Sequence, residues 1–183
     1  MLYDHIVFPG AVEEIVDEMS MSMGDLQSKG NASSGAGKNV EVDWYGGGYV
    51  SNIEENVYYY FKRANSLNFG YDISYTEAVR WEKYSKGGSY SVRKELNHFY
   101  QNHLDRKLVA VVNMNDPFDP KEKGGNIVLY ESTRKRTSLD DIFYQKKGAI
   151  AVFNVFTGYE IEEVKCEEGL TYLFCFCVGD KWR

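Results

Sequence analysis

From Tyr71 onward the apolar residues fall in short or alternating runs broken by Gly, Asp, Asn and Pro, the texture of strands joined by turns. The runs are Ala78 to Tyr84, Ser89 to Arg93, Leu108 to Met114, Asn126 to Tyr130, Ala149 to Phe153, Tyr159 to Val164 and Leu170 to Val178. Strands in such number with no long helix between them predict a sandwich or jelly roll. The first part of the chain reads differently. Leu2 to Phe8 predicts a strand, and Val12, Ile15, Val16 and Met19 follow at the i, i+3, i+4, i+7 spacing of an amphipathic helix. A second helix is marked by the capping-box spacing of Ser51 and Glu54 and by the stripe Ile53, Val57, Tyr60, Phe61 and Ala64. Residues 28–38, SKGNASSGAGK, are almost all small or polar, bury too little apolar surface to offset ordering entropy, and predict a flexible loop. The pattern predicts a mainly β fold with N-terminal helices (α+β), one domain spanning residues 1–183.

Composition narrows the function classes. A length of 183 residues suffices for one substantial core, and a formal charge of -6 with no Lys/Arg-rich block argues against nucleic-acid binding. No apolar run approaches the roughly 20 residues that span a bilayer. The opening MLYDHIVFPG lacks the basic n-region of a signal peptide, so the expectation is a soluble, unsecreted protein with no membrane partner. Cys175 and Cys177 alternate through an apolar strand and, like Cys166, read as packing residues without the further ligands a zinc site needs. The Gly and Lys of 28–38 do not match a phosphate-binding GxxxxGK[ST] loop. Arg134, Lys135 and Arg136 are followed by Asp140 and Asp141 and read as a solvated loop. Tyr and Trp gather in DWYGGGY (43–49), VYYYF (57–61) and the stretch from Tyr84 to Tyr100, numerous enough to serve both a core and a protein-protein surface.

Four segments, in order, resemble the prolyl-hydroxylase-like iron(II)/2-oxoglutarate dioxygenases, in particular their small bacterial and bacteriophage versions. ANSLNFGYDISYTEAVRWEKYSKGGSYSVRKE (64–95) is similar to the stretch in which an "AN…F.fDi" entry runs into Y-x-x-G-x-x-Y-x-x-H-x-D. RKLVAVVNMND (106–116) resembles the next core strand, GGNIVLY (124–130) the "GGel.l" strand, and KKGAIAVFNVFTGYEIEEVKCEEGLTYLFCF (146–176) the ending that carries the distal His. The resemblance implies a double-stranded β-helix, a cupin-like jelly roll.

It also implies a chemistry, which needs two His and one carboxylate on one side of iron and a basic residue for the far end of 2-oxoglutarate. By the resemblance the first His falls on Arg93, the carboxylate on Glu95, the distal His on Tyr159 and the basic residue on Thr171. A guanidinium has no lone pair to give a metal. The histidines are His5, His98 and His103, so none lies in the last 80 residues, where the distal ligand belongs. The resulting expectation is a degenerate member with no catalytic, cofactor-binding or metal-binding residues and no cofactor, where an active relative would use iron and 2-oxoglutarate. Arg93 is expected to point into the former metal site, held by Glu95 and by the Tyr159 hydroxyl. The expected role is that of a non-catalytic structural or interaction protein, a subunit of an oligomer or larger assembly. The bacteriophage-like character of the resemblance suggests a virion neck, tail or baseplate component, found in the virion or the host cytoplasm. The alternatives are an active hydroxylase whose metal is held by Glu95 with His98 or His103, and a pseudoenzyme binding a small anion beside Arg93.

Overall fold

The computed structural model describes residues 5–14, 16–17, 37–45, 51–96, 98–99, 104–130 and 136–182. Along these the chain forms β1 (His5–Phe8), β2 (Gly37–Tyr45), α1 (Ser51–Ala64), a π-helical turn (Asn65–Phe69), β3 (Tyr75–Thr76), β4 (Val79–Arg93), β5 (His98–Phe99) and β6 (Leu104–Asn113). They are followed by α2 (Pro120–Lys123), β7 (Ile127–Tyr130), β8 (Arg136–Ser138), α3 (Asp141–Tyr144), β9 (Ile150–Asn154), β10 (Gly158–Ile161) and β11 (Leu170–Asp180). The fold is mostly β with few helices, as the hydrophobic pattern predicts.

The strands pair antiparallel in the order β1-β9-β6-β11-β4-β10-β7-β8, with β2 added on β4, β3 on β11 and β5 on β6. β4 organises the curl: residues 80–84 pair with β11, whereas Tyr90 and Arg93 pair with β10. One long strand thus belongs to two faces of a sheet that bends round its own interior.

Period-2 alternation sorts each strand between two cores. On β11, Tyr172, Phe174 and Phe176 turn to the interior of the curl, with Val109 and Val111 of β6, Ile127 and Leu129 of β7, and Ala151 and Phe153 of β9. Leu173, Cys175 and Cys177 turn outward, against Ile53, Val57, Phe61 and Ala64 of α1. The predicted stripe is therefore the face that buries α1, and both strand cysteines pack there as expected. Val12 and Val16 join the same cluster, while Ile15 and Met19 of the predicted first helix lie outside the described residues.

Some boundaries differ from the expectation. β2 was hidden behind the small-residue stretch: Gly37 and Lys38 belong to this strand rather than to a loop, and residues 28–36 lie outside the described ones. The two predicted runs 78–84 and 89–93 are one strand of 15 residues that passes through Gly87 at φ +75°. Arg136 opens the short strand β8 instead of lying in a loop, and His98 stands in β5. The glycine pair before β7 has a steric cause. Gly124 has φ +71°, and a Cβ on it would sit 2.0 Å from the Glu163 carbonyl oxygen, so no side chain fits there. No helix among the described residues is long and apolar enough to cross a membrane.

Candidate functional site

One end of the barrel interior is charged. On β4 the residues Arg80, Glu82 and Tyr84 follow each other at i, i+2, i+4 and share the inner face. Further along, three residues of β10 (Tyr159 to Ile161) oppose four of β4 (Arg93 to Tyr90), a β-bulge that places one extra residue on β4. The bulge re-aims Arg93, whose guanidinium stacks 3.7 Å over the Tyr90 ring and 4.8 Å from the centre of Tyr159. A second irregularity, between Cys177 and Val178 of β11, skips Lys107 on β6. Just beyond it Arg106 lies 3.9 Å over the ring of Phe176.

These residues close on one another. The Tyr159 hydroxyl donates to Glu95 Oε1 (2.5 Å) and accepts from Arg93 Nε (2.6 Å) and Arg80 Nη2 (2.9 Å). Arg80 grips Glu95 with both terminal nitrogens, Nη2 to Oε1 at 2.6 Å and Nη1 to Oε2 at 3.1 Å. Its Nε lies 2.7 Å from Glu82 Oε1, close enough for an ion pair although the angle is poor for a hydrogen bond. Arg93 Nη2 reaches both oxygens of Glu82, at 2.7 and 2.8 Å, and the Tyr84 hydroxyl donates to Glu82 Oε2 at 2.5 Å. Arg106 donates through Nε to Glu77 (2.6 Å) and through Nη1 to Glu95 (3.4 Å).

Three guanidiniums, Arg80, Arg93 and Arg106, thus face three carboxylates, Glu77, Glu82 and Glu95, and formal charge cancels. Glu82 has 0% side-chain exposure and Arg93 only 13%. Such burial is sustained only by the pairing, because an unpaired charge there costs several kcal/mol. Burial alone would raise the Glu95 carboxyl. The Arg80 charge and hydrogen bond, the Arg93 charge and the Tyr159 hydroxyl override it and hold the group at about 2. Burial drives the Tyr159 phenol well above its usual range, so it keeps its proton.

The structure brings three of the sequence-predicted positions together and leaves out the fourth. Arg93 and Tyr159 are direct cross-strand partners, and Glu95 joins them. Thr171 stands elsewhere on β11: its N–H donates to Asn115 Oδ1 and its carbonyl accepts from Asn115 Nδ2. His103 lies outside the described residues, as does the side chain of His98. Arg80, Glu82, Arg106 and Glu77 escaped sequence reasoning. In a strand whose other face carries Val79 and Trp81, Arg80 and Glu82 look like solvent positions, and only their opposite signs at i, i+2 hint at mutual pairing.

The donor set does not fit iron(II). The cations nearest Glu95 are the three guanidiniums of Arg80, Arg93 and Arg106, which have no lone pairs, the phenol keeps its proton, and both Glu95 oxygens are engaged. Among the described residues no three His, Cys, Asp or Glu side chains are grouped to hold a metal ion.

No protein-family model matches the chain, and no curated protein matches it in sequence. Solved structures do. A prolyl-4-hydroxylase from Pseudomonas putida superposes with a TM-score of 0.73 at 11% identity, over 98% of this chain and 94% of that one. The 2-oxoglutarate complex of a viral collagen prolyl hydroxylase from Paramecium Bursaria Chlorella virus-1 gives 0.69 at 13% identity, over 97% of both chains. An oxidoreductase of the 2OG-Fe(II) oxygenase family from Burkholderia pseudomallei gives 0.66 at 13%, over 96% of this chain and 84% of that one.

One expectation is corrected by these likenesses. The sequence reading assigned no cofactor, whereas the proteins sharing this fold include an iron(II)/2-oxoglutarate oxygenase and a 2-oxoglutarate complex. At these identities the likeness defines architecture: the chain has the double-stranded β-helix fold of the prolyl-hydroxylase-like 2-oxoglutarate oxygenases.

Proposed function

We propose that this chain is a non-catalytic structural or interaction protein on the 2-oxoglutarate oxygenase fold, a subunit of a larger protein assembly. One observation carries the reading: the charged end of the barrel is filled by a charge-neutral network of ion pairs in which Arg93, Glu95 and Tyr159 bond to each other. By the sequence resemblance these are the positions where an oxygenase of this kind places its metal ligands. Around the same end stand exposed apolar side chains, Trp44 on β2, Val92 on β4 and Leu96 just after it, which suit a protein partner. The bacteriophage-like character of the resemblance supports a virion as the assembly. A small-anion sensor is the weaker reading, because the Arg93 Nη2 that would greet an anion already serves both oxygens of Glu82.

Two measurements on the intact protein test this. Native mass spectrometry of the protein drawn from its source is expected to show a multimer or a stable complex. Anaerobic incubation with iron(II), followed by oxygen and 2-oxoglutarate, is expected to yield no succinate above the protein-free control. Iron-dependent succinate that disappears in Glu95→Ala, or a free monomer as the sole native species, would overturn the proposal.

A further inference from the structure

The surroundings of Arg80 have the make-up of a binding site for an organic cation. Its guanidinium meets Glu95 through two nitrogens and Glu82 through the third, and it donates to the Tyr159 hydroxyl. Three aromatic rings complete the enclosure, with centroids 5.0 Å (Phe174), 5.0 Å (Phe176) and 5.3 Å (Trp44) from the guanidinium carbon. Carboxylates that supply charge and aromatic faces that supply quadrupole attraction are together how proteins recognise guanidinium and alkylammonium groups. One wall leads outward: Trp44 is 51% exposed, while Phe174 and Phe176 are fully buried.

We infer that this end of the barrel is a guanidinium-binding cage whose ligand is the chain's own Arg80, and that it accepts a free guanidinium-type cation once that side chain is shortened. The walls come from β2 (Trp44), β4 (Glu82), β10 (Tyr159) and β11 (Phe174, Phe176), with Glu95 beyond the end of β4. They are held by contacts other than Arg80: Glu82 keeps Arg93 and Tyr84, Glu95 keeps Tyr159 and Arg106, and Trp44 stacks on Phe176. Shortening Arg80 therefore leaves a preformed cavity carrying one uncompensated negative charge, open beside Trp44. The inference does not depend on the scaffold reading, since a cage can be filled in an enzyme or in a structural subunit.

Arg80→Ala tests it by thermal unfolding of the full chain in millimolar methylguanidinium, with methylurea as the neutral isostere. Methylguanidinium is expected to raise the Tm of Arg80→Ala by about 5–10 °C at a hundredfold excess over its Kd, and methylurea is expected to leave it unmoved. Wild type should gain nothing from either. Phe143→Ala, a cavity among apolar side chains, should also be indifferent. If Arg80→Ala does not fold alone, refolding in methylguanidinium is expected to recover it, and Arg80→Ser serves as a second shortened variant with the same readout. A folded Arg80→Ala that responds to neither compound, an equal response to methylurea, or failure of methylguanidinium on both variants would overturn the inference. Because the readout is stability, succinate production by wild type would sink the scaffold proposal and leave this result legible.

Discussion

Two ends of one barrel interior are filled by opposite means. At one end Phe118, Phe143, Tyr144 and Tyr172 pack ring against ring, with centroids 5.1–6.5 Å apart, and the buried hydroxyls find uncharged partners: Tyr144 accepts from the Ile127 N–H and donates to Asn126 Oδ1, and Tyr172 donates to the Gly125 carbonyl. At the other end Arg80, Glu82, Arg93, Glu95 and Arg106 fill the same kind of space with charge. The apolar end tolerates the loss of a contact in proportion to the cavity left behind. At the charged end the cost of a loss follows charge rather than volume, because each group removed strands its partners without water. The difference separates the part of the fold that supplies stability from the part that stands where chemistry would be expected.

The largest effect should come from the centre of the network. Glu82→Ala strips Arg80, Arg93 and Tyr84 of a shared partner and is expected to cost about 3–5 kcal/mol in urea unfolding. Phe143→Ala at the opposite end is expected to cost a comparable 3–5 kcal/mol, but with no dependence on pH or salt. Equal pH dependence of the two losses would break the comparison.

A medium effect should appear in acid. The folded Glu95 carboxyl sits at about 2 against 4.5 for the free side chain. Its contribution, on the order of 3 kcal/mol, is therefore fully present above pH 4.5 and fades as pH falls towards 2. Glu95→Gln is expected to lower stability at neutral pH and to flatten the fall between pH 4.5 and 2. An unchanged acid limb would show that Glu95 is not held by its arginines. The smallest effect belongs to the surface: Arg136, exposed and paired with Glu160 and Glu162, can become Ala without a measurable change in the urea midpoint.

The apolar end was legible where it stands on a strand, since alternation on β11 names Tyr172, whereas Phe118, Phe143 and Tyr144 fall outside the predicted runs. The charged end was legible only in part. The family resemblance pointed to Arg93, Glu95 and Tyr159, which meet, and to Thr171, which does not. Arg80, Glu82 and Arg106 were not legible, because polar residues in a strand read as solvated unless both faces of the sheet are known to be covered. The bulges opposite Tyr159 and at Lys107 also shift inward-outward parity, which no period-2 reading follows. β2 was missed because its Val40, Val42, Trp44 alternation starts straight out of a Gly/Ser-rich stretch.

The central claim is that guanidiniums, paired with Glu82 and Glu95, fill the charged end of this barrel. A crystal structure of the protein grown with manganese(II) and 2-oxoglutarate tests it most directly. The account predicts Arg93, Glu95 and Tyr159 bonded to one another, with the Arg80 guanidinium in its cage. Density for a metal ion on Glu95, with Arg80 and Arg93 swung away from it, would contradict the account.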